Sequence, residues 1–227
     1  MIEDLRWLGI RWSEGPDCGG PYGPYSQSER WAHYLETWRR LREAGFLYPC
    51  ICSRKDLAQA ASAPNDDDEP MYPGTCRERK NKNKDVTEFT EPAGVNWRFR
   101  IPEGDAVEFT DVNLSRQRYV AGNNFDFGDF LVWRRDDDPA YQLAVVVDDA
   151  AMRITEVVRG VDLLKSTARQ LLLMRALGYS PPDYFHCELV RDTAGVRLAK
   201  RHDALSIRHL REIGMTSQKV LEMAGWP

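Results

Sequence analysis

The most apolar continuous stretch of this polar sequence spans residues 141–160 and reads YQLAVVVDDAAMRITEVVRG. Its first half is ambiguous, because three consecutive valines favour a strand whereas Leu143 and Val147 fit one face of a helix. Residues 154–158 predict a buried strand that ends at Arg159. Open α/β sheets bind ligands beyond the carboxyl ends of their strands, so this arginine is well placed for an anionic ligand. The alternative is a core strand followed by a surface arginine.

Strands and helices alternate along the rest of the chain. The pattern predicts helices at 1–9, from the Ser26 cap to near Gly45, and at 166–177, 207–214 and 218–224, and strands at 97–101, 107–111, 126–133 and 184–190. Ser26 and Glu29 are spaced as a capping box for the second helix, and Ser166 and Thr167 are placed to cap the third. His186 is interpreted as a core residue, because no partner lies near it in the sequence. Strand, helix, strand and basic loop in this order indicate the second half of a doubly wound nucleotide-binding fold.

Composition narrows the class of protein. A chain of 227 residues with 42% hydrophobic and 29% charged residues suits one large α/β domain, or one domain with an insertion. No apolar run approaches 18 residues and the N-terminus is not basic and then apolar, which predicts a cytoplasmic protein without a membrane span. The net charge of −4 argues against broad electrostatic capture of nucleic acid, but it allows a local basic face.

The cysteines suggest a metal site. In the cytoplasm thiols stay reduced, so five cysteines are better interpreted as metal ligands or buried thiols than as disulfides. Cys50 and Cys52 form a Cys-x-Cys pair, and Tyr72 precedes Cys76 by four residues. Three thiolates and one further ligand would satisfy tetrahedral zinc, with Tyr72 or water in the fourth position. The alternative is three unrelated thiols.

Four sequence motifs then carry a resemblance to a known family. They are GPYSQSER at 23–30, the apolar stretch at 141–160, DLLKSTARQ at 162–170 and RLAKR at 197–201. In this order they resemble the catalytic domain of the glutamyl-tRNA synthetase group of class I synthetases, over nearly the whole chain. Within that group the sequence is most similar to the short paralogues, the glutamyl-queuosine tRNA(Asp) synthetases. The resemblance makes residues 145–149 a helix and 154–158 a strand.

The resemblance implies a class I synthetase Rossmann-like nucleotide-binding domain that is α/β and carries an inserted zinc-binding and connective segment. The implied division is 1–48 for the remainder of the first Rossmann half, 49–140 for the insertion, 141–190 for the second half, and 191–227 for a KMSKS-like loop with C-terminal helices. The family's HIGH motif should precede residue 1, and none of the four histidines stands in a His-x-Gly-His string. By this comparison the domain is N-terminally truncated.

The resemblance also implies an activity and its residues. The family activates glutamate with ATP and Mg²⁺, and the short paralogues attach it to queuosine in the anticodon of tRNA(Asp). Tyr141 and Arg159 match the positions that hold glutamate, and a guanidinium can bind a carboxylate bidentately. Lys200 matches the second lysine of the KMSKS loop, which binds ATP and stabilises charge on its phosphates. The implied zinc ligands are Cys50, Cys52, Tyr72 and Cys76.

Two departures from the family's loop qualify the implied activity. Arg197 replaces the first lysine, and arginine and lysine are not interchangeable at phosphates. Ala199 replaces a serine and so removes a hydroxyl that could bond a phosphate. The sequence therefore favours ligand binding more strongly than full catalysis by this chain alone. Two alternatives remain open, a catalytically inactive synthetase-like protein that binds tRNA or a partner, and a fragment of a glutamyl-tRNA synthetase.

Overall fold

The computed structural model describes residues 1–53, 71–77, 89–122, 125–190 and 206–226. The chain divides into two compact units, one formed by Met1–Gly23 with Leu189–Pro227 and the other by Pro24–Glu188. Among the described residues, no helix is both long and apolar enough to cross a membrane.

The larger unit is a mixed α/β structure with two sheets. Its elements are α2 (Trp31–Glu43), β1 (Leu47–Cys50), β2 (Asn96–Phe99), β3 (Ala106–Asp111), β4 (Ser115–Val120), β5 (Phe130–Arg134), β6 (Asp138–Pro139), α3 (Tyr141–Ala151), β7 (Glu156–Gly160), α4 (Leu164–Leu177) and β8 (Asp183–Cys187). One sheet is antiparallel, with strand order β1-β2-β5-β6. The other has the order β4-β3-β8-β7, in which β8 runs parallel to both β3 and β7.

The segment β7-α4-β8 is the strand–helix–strand unit that the sequence predicts. Parallel neighbours need a crossover, and α4 supplies it before Gly178 ends the helix in the left-handed conformation at φ 72°. The register pairs Val157 with Tyr184 and Arg159 with His186. Alternate residues of a strand share one face, so these four side chains lie on the same side of the sheet.

The ambiguous apolar stretch resolves as the resemblance implies. Residues 145–149 lie in the helix α3, which buries Leu143, Val146 and Val147 in the main core. The following strand spans Glu156–Gly160 and was wrongly predicted to be buried, because β7 is the edge strand of its sheet and Val158 is 70% exposed. Three tryptophans from α2 and the antiparallel sheet anchor that core, with Trp38 and Trp97 packed edge to face at 4.9 Å between ring centroids. The segment forms a helix because Leu143, Val146 and Val147 recur at helical spacing and bury one face of it.

Two residues of the motif at 23–30, Gln27 and Arg30, bind the buried carboxylate of Asp148. Arg30, which is 1% exposed, donates from Nε to the Oδ1 of Asp148 at 2.6 Å. Gln27 donates to the other carboxylate oxygen at 3.0 Å, and the hydroxyl of Tyr34 donates to Oδ1 at 2.9 Å. A buried carboxylate needs such partners to remain charged. These contacts fix α3 against α2.

Removing the hydroxyl of Tyr34 should measurably destabilise this contact. Tyr34→Phe keeps the buried ring but takes a hydrogen bond from a charged, buried group, which costs about 2 kcal/mol. Tyr179→Phe is the matched control, because its hydroxyl accepts from the exposed Arg40 rather than donating to a buried carboxylate. We expect urea unfolding to separate the two variants, and equal free energies of unfolding would contradict this account of Asp148.

The smaller unit contains α1 (Ile2–Trp7), α5 (Ile207–Glu212) and α6 (Ser217–Met223). Arg211 of α5 donates to Asp4 of α1 at 2.7 Å, and its guanidinium lies 5.6 Å from the ring centroid of Trp7. Ser206 accepts a hydrogen bond from the backbone of His209 and so caps α5. All three helices are where the sequence predicts them.

Candidate functional site

Arg159 lies near the carboxyl end of β7 and is held on three sides. Its Nε donates to the Nε2 of His186 at 3.2 Å, and its Nη2 donates to Thr167 Oγ1 at 2.6 Å and to Gln170 Oε1 at 2.9 Å. The guanidinium also lies over the ring of Tyr184, 5.2 Å from its centroid. The register of β7 and β8 supplies the histidine, and one turn of α4 supplies the other two partners.

One edge of this guanidinium remains available to a ligand. Arginine has five N–H donors, and the contacts above use the one on Nε and both on Nη2. No residue in the described ranges accepts from Nη1. A ligand carboxylate can therefore bind at Nη1, whereas a two-pronged contact through Nη1 and Nη2 would have to displace Thr167 or Gln170. The protein thus fixes the orientation of the guanidinium in the absence of a ligand.

Tyr141, the first residue of α3, is 50% exposed. It lines an open cleft of about 440 Å³ together with the Gln27, Ser28 and Trp31 side chains. Arg159 is not part of that lining, and the described residues show no direct contact between Arg159 and Tyr141. Lys200 lies outside the described residues, as do Arg197 and Ala199.

The three cysteines and the tyrosine of the inserted segment do come together. Cys52 Sγ lies 3.5 Å from Cys76 Sγ and 3.9 Å from the hydroxyl of Tyr72, which is 3.5 Å from Cys50 Sγ. The three sulfurs all lie within 4.8 Å of one another. A tetrahedral zinc with Zn–S bonds of about 2.3 Å needs sulfurs about 3.8 Å apart. The donor set therefore fits one zinc ion.

The surroundings of the cluster favour the thiolate form of Cys50 and Cys76, but not of Cys52. Arg98 donates from Nε to Cys50 Sγ at 3.3 Å, and its guanidinium stacks 3.7 Å from the ring centroid of Tyr72. Burial raises the pKa of Cys52 to about 12. Burial also opposes ionisation of Cys76, but hydrogen bonds involving Tyr72 and the backbone outweigh it and lower the pKa of that thiol. A bound cation would stabilise the remaining cysteines in their thiolate form.

The carboxylate pair at the end of α3 is divided between two environments. Asp148 is held by the buried contacts with Arg30 and Tyr34. Asp149 has one buried carboxylate oxygen with no hydrogen-bond partner among the described residues. Burial raises the pKa of Asp149 to about 6, although the nearby Arg159 acts in the opposite direction. The ionised carboxylate of Asp149 therefore lowers the stability of the fold.

Replacing Asp149 should stabilise the protein in a pH-dependent way. A carboxyl whose pKa is raised on folding destabilises the fold progressively as the pH rises from about 4 through about 6. We expect Asp149→Asn to match the parent at pH 4 and to gain on the order of 1 kcal/mol at pH 8. Melting temperatures across this range measure the effect, with the exposed Asp183→Asn as control. A constant difference at all pH values would contradict the assignment.

Three residues of the arginine site were not singled out by the sequence analysis. Thr167 and Gln170 lie in the motif at 162–170, whose position directly after Arg159 was the available signal. His186 was interpreted as a core residue, and it is indeed fully buried, but its ring nitrogen contacts Arg159. The sequence indicated a buried strand at 184–190 but gave no sign of that contact, and in the structure buried and exposed residues alternate along β8.

Comparisons with known proteins agree with this architecture. Residues 1–225 match the family described as class I tRNA synthetases (E and Q), catalytic domain. The chain is 46% identical over 222 residues to glutamyl-Q tRNA(Asp) synthetase of Symbiobacterium thermophilum and 47% identical over 226 residues to that of Nitratidesulfovibrio vulgaris, in each case over 97% of this chain and 67% of the relative. The glutamate-tRNA synthetase crystal structure from Elizabethkingia anophelis superposes with a TM-score of 0.73 at 25% identity, over 94% of this chain and 43% of that one.

These similarities confirm the Rossmann-like α/β fold inferred from the order of strands and helices. They also confirm the resemblance carried by the four motifs, all of which lie within the matched range. The chain belongs to the catalytic-domain family of the class I tRNA synthetases for glutamate and glutamine.

Proposed function

We propose that this protein activates glutamate with ATP and transfers it to queuosine in tRNA(Asp). The observation that carries the proposal is Arg159, whose guanidinium is fixed at the carboxyl end of β7 with Nη1 available to a carboxylate. The relatives named glutamyl-Q tRNA(Asp) synthetase support this choice of acceptor, because their similarity extends over 97% of the chain.

In this proposal the protein acts by positioning and electrostatics. Arg159 binds one carboxylate of glutamate through Nη1, and Tyr141 adds a phenol that orients the substrate. ATP binds as its Mg²⁺ complex, and the ammonium of Lys200 stabilises charge on its phosphates. The other carboxylate attacks the α-phosphorus and pyrophosphate leaves. The resulting glutamyl adenylate donates its acyl group to the queuosine base, and AMP leaves as the mixed anhydride is broken. No covalent intermediate with the protein is required.

We further propose that Cys50, Cys52, Tyr72 and Cys76 bind a structural Zn²⁺ ion. All four positions are filled by protein, which is the arrangement of zinc sites that stabilise folds rather than react. The ion would join β1 to the turn around Cys76 within the inserted segment, 49–140. We also propose that residues 1–48 form the remainder of the first Rossmann half, 141–190 the second half, and 191–227 the KMSKS-like loop with the C-terminal helices. We propose a cytoplasmic location for the protein.

Transfer to different tRNAs tests the proposed acceptor. Radiolabelled glutamate is incubated with ATP, the full chain and tRNA(Asp) with or without queuosine, or tRNA(Glu). We expect ATP-dependent labelling of the queuosine-containing tRNA(Asp) alone. Lys200→Met should reduce this labelling by about 100-fold, the effect of losing a charge-stabilising group, whereas Lys219→Met on the exposed face of α6 should not.

The transfer assay, together with filter binding of tRNA, distinguishes the competing functions. The substitutions Arg197 and Ala199 in the KMSKS-like loop favour a protein that binds ligands without turnover. Such a protein would retain tRNA on a filter at low salt yet transfer no label. Labelling of tRNA(Glu) instead would identify a glutamyl-tRNA synthetase fragment. Either result would overturn the proposed transfer to queuosine.

A further inference from the structure

Behind Arg159 lies a buried pair of titratable side chains to which the mechanism above assigns no role. His186 and Asp111 are both 0% exposed, and the imidazole Nδ1 lies 2.6 Å from the Oδ2 of Asp111. Asp111 ends β3, so this contact joins β3 to β8 where the two strands run in parallel. Burying two such groups without solvent is costly unless their hydrogen bonds are satisfied.

Asp111 is built to remain a carboxylate. Its Oδ1 accepts from the backbone N–H groups of Leu114 at 2.8 Å and Asn113 at 3.0 Å, and its Oδ2 accepts from that of His186 at 3.1 Å. Burial opposes its ionisation, but the hydrogen bonds from the His186 side chain and from these backbone groups outweigh it and lower the pKa of Asp111. The carboxylate can only accept, so the hydrogen of the imidazole belongs on Nδ1.

This assignment determines what the other ring nitrogen does. With hydrogen on Nδ1, a neutral imidazole offers a lone pair at Nε2. The Nε of Arg159, 3.2 Å away, can only donate, and the Thr167 hydroxyl lies 3.0 Å from the same nitrogen. Asp111 therefore sets the tautomer of His186, and His186 accepts from Arg159.

The helices complete the arrangement from the other side. Gln170 accepts from Arg159 at Oε1, so its amide nitrogen faces Gln142 and donates to it at 3.0 Å. Gln142 in turn donates to Ser166 Oγ at 3.0 Å. Because a guanidinium never accepts, Arg159 fixes the orientation of both amides. The result is a continuous hydrogen-bonded series from β3 through β8, β7 and α4 to α3.

We propose that Asp111, His186, Thr167 and Gln170 are positioning residues that hold Arg159 with Nη1 directed at the substrate carboxylate. The inference rests on the proposed function, because it assigns these residues to glutamate binding. A long arginine side chain loses conformational freedom when it binds a ligand, and a guanidinium held in advance loses less. The buried series supplies that restraint while leaving one donor edge to the ligand.

Matched substitutions at Thr167 test the inference in the full chain by calorimetric titration. Thr167→Val keeps the shape of the side chain but removes the acceptor, whereas Thr167→Ser keeps the hydroxyl. We expect Thr167→Val to weaken L-glutamate binding about tenfold, the value of one charged hydrogen bond, and Thr167→Ser to retain the parental affinity. ATP affinity should be unchanged in both. Equal glutamate affinities in the two variants would overturn the inference.

The histidine provides a second matched pair. His186→Gln can place an acceptor near the position of Nε2, whereas His186→Asn can reach Asp111 but not Arg159. We expect glutamate affinity to fall about tenfold further in His186→Asn than in His186→Gln, with ATP affinity again unchanged. A merely structural role would lower the melting temperature and both affinities in parallel, and that pattern would contradict positioning.

A spectroscopic measurement separates failure of this inference from failure of the proposed function. Long-range ¹H–¹⁵N spectra of the ligand-free protein distinguish protonated from unprotonated imidazole nitrogens. We expect His186 to carry hydrogen on Nδ1 only, with a slowly exchanging Nε–H signal from Arg159. Hydrogen on Nε2 would overturn the inference, whether or not glutamate binds. Absence of glutamate binding by a parent protein with the expected spectrum would instead overturn the proposed function.

Discussion

Replacing Cys50 with serine will reduce bound zinc from about one ion per chain to less than about 0.1, and it will destabilise the protein by at least about 3 kcal/mol. The reason is the geometry of the cluster, in which Cys52 and Cys76 lie 3.5 Å apart and Tyr72, the proposed fourth ligand, lies 3.5 Å from Cys50. With one ligand gone, the remaining buried cysteines lose the cation that the proposed site would hold. For a chain of this size the loss corresponds to a fall of about 6–12 °C in melting temperature.

The chain contains its own controls for this experiment. Cys18 is exposed and Cys187 lies on β8, so serine at either position leaves the proposed ligands intact. Metal analysis of the four purified proteins, with melting curves before and after EDTA, compares them directly. Zinc should remain in the Cys18 and Cys187 variants and disappear from Cys50→Ser. A parent protein purified with zinc in the medium and found to contain none would contradict the metal assignment.

Replacing Arg159 with lysine will weaken L-glutamate binding by about 100-fold or more, equivalent to about 2.8 kcal/mol. Lysine keeps the charge, but a single ammonium cannot satisfy Thr167, Gln170 and His186 while it also binds a ligand. The substitution therefore removes both the contact to the substrate and the arrangement that holds it. Isothermal titration with glutamate measures the affinity.

Arg116→Lys is the matched control for that substitution, since this exposed arginine on β4 pairs with Glu108 on the surface. Its glutamate affinity should equal that of the parent. Melting temperatures show whether Arg159→Lys remains folded at the temperature of the titration. Parental glutamate affinity in a folded Arg159→Lys protein would contradict the assignment of the substrate carboxylate to this residue.

Local pattern predicted most of the secondary structure around the site. The periodicity of residues 154–158 and the flanking signals at Gly178 indicated the strand–helix–strand unit, which the structure contains as β7, α4 and β8. The valines of 145–147 could not be assigned by periodicity alone, because a short apolar run fits a helix and a strand equally well. The resemblance resolved that ambiguity, and the structure confirms the helix.

The capping predictions were wrong in an instructive way. Ser26 precedes a 3₁₀ turn and makes no side-chain cap. The helix α2 starts only at Trp31, after Gln27 and Arg30, whose side chains donate to Asp148. Ser166 and Thr167 lie inside α4 rather than at its start, and the Thr167 hydroxyl binds Arg159. At Thr167 a tertiary contact uses a hydroxyl that local rules assign to a helix end.

The contact between His186 and Asp111 could not be found in the sequence, because the two residues are 75 positions apart. Only the parallel pairing of β3 with β8 brings them together. The zinc-type cluster shows the opposite situation, since spacing alone suggested Cys50, Cys52, Tyr72 and Cys76 as one group. Short-range motifs were therefore predictable, and the support behind Arg159 was not.

Glutamate-dependent exchange of radiolabelled pyrophosphate into ATP tests the central claim most directly, since it reports formation of glutamyl adenylate without tRNA. The account predicts exchange by the full chain with L-glutamate, at least about tenfold above the rates with L-glutamine or L-aspartate, and its loss in Arg159→Lys. Exchange with L-glutamate no faster than without amino acid would contradict the claim that this protein activates glutamate.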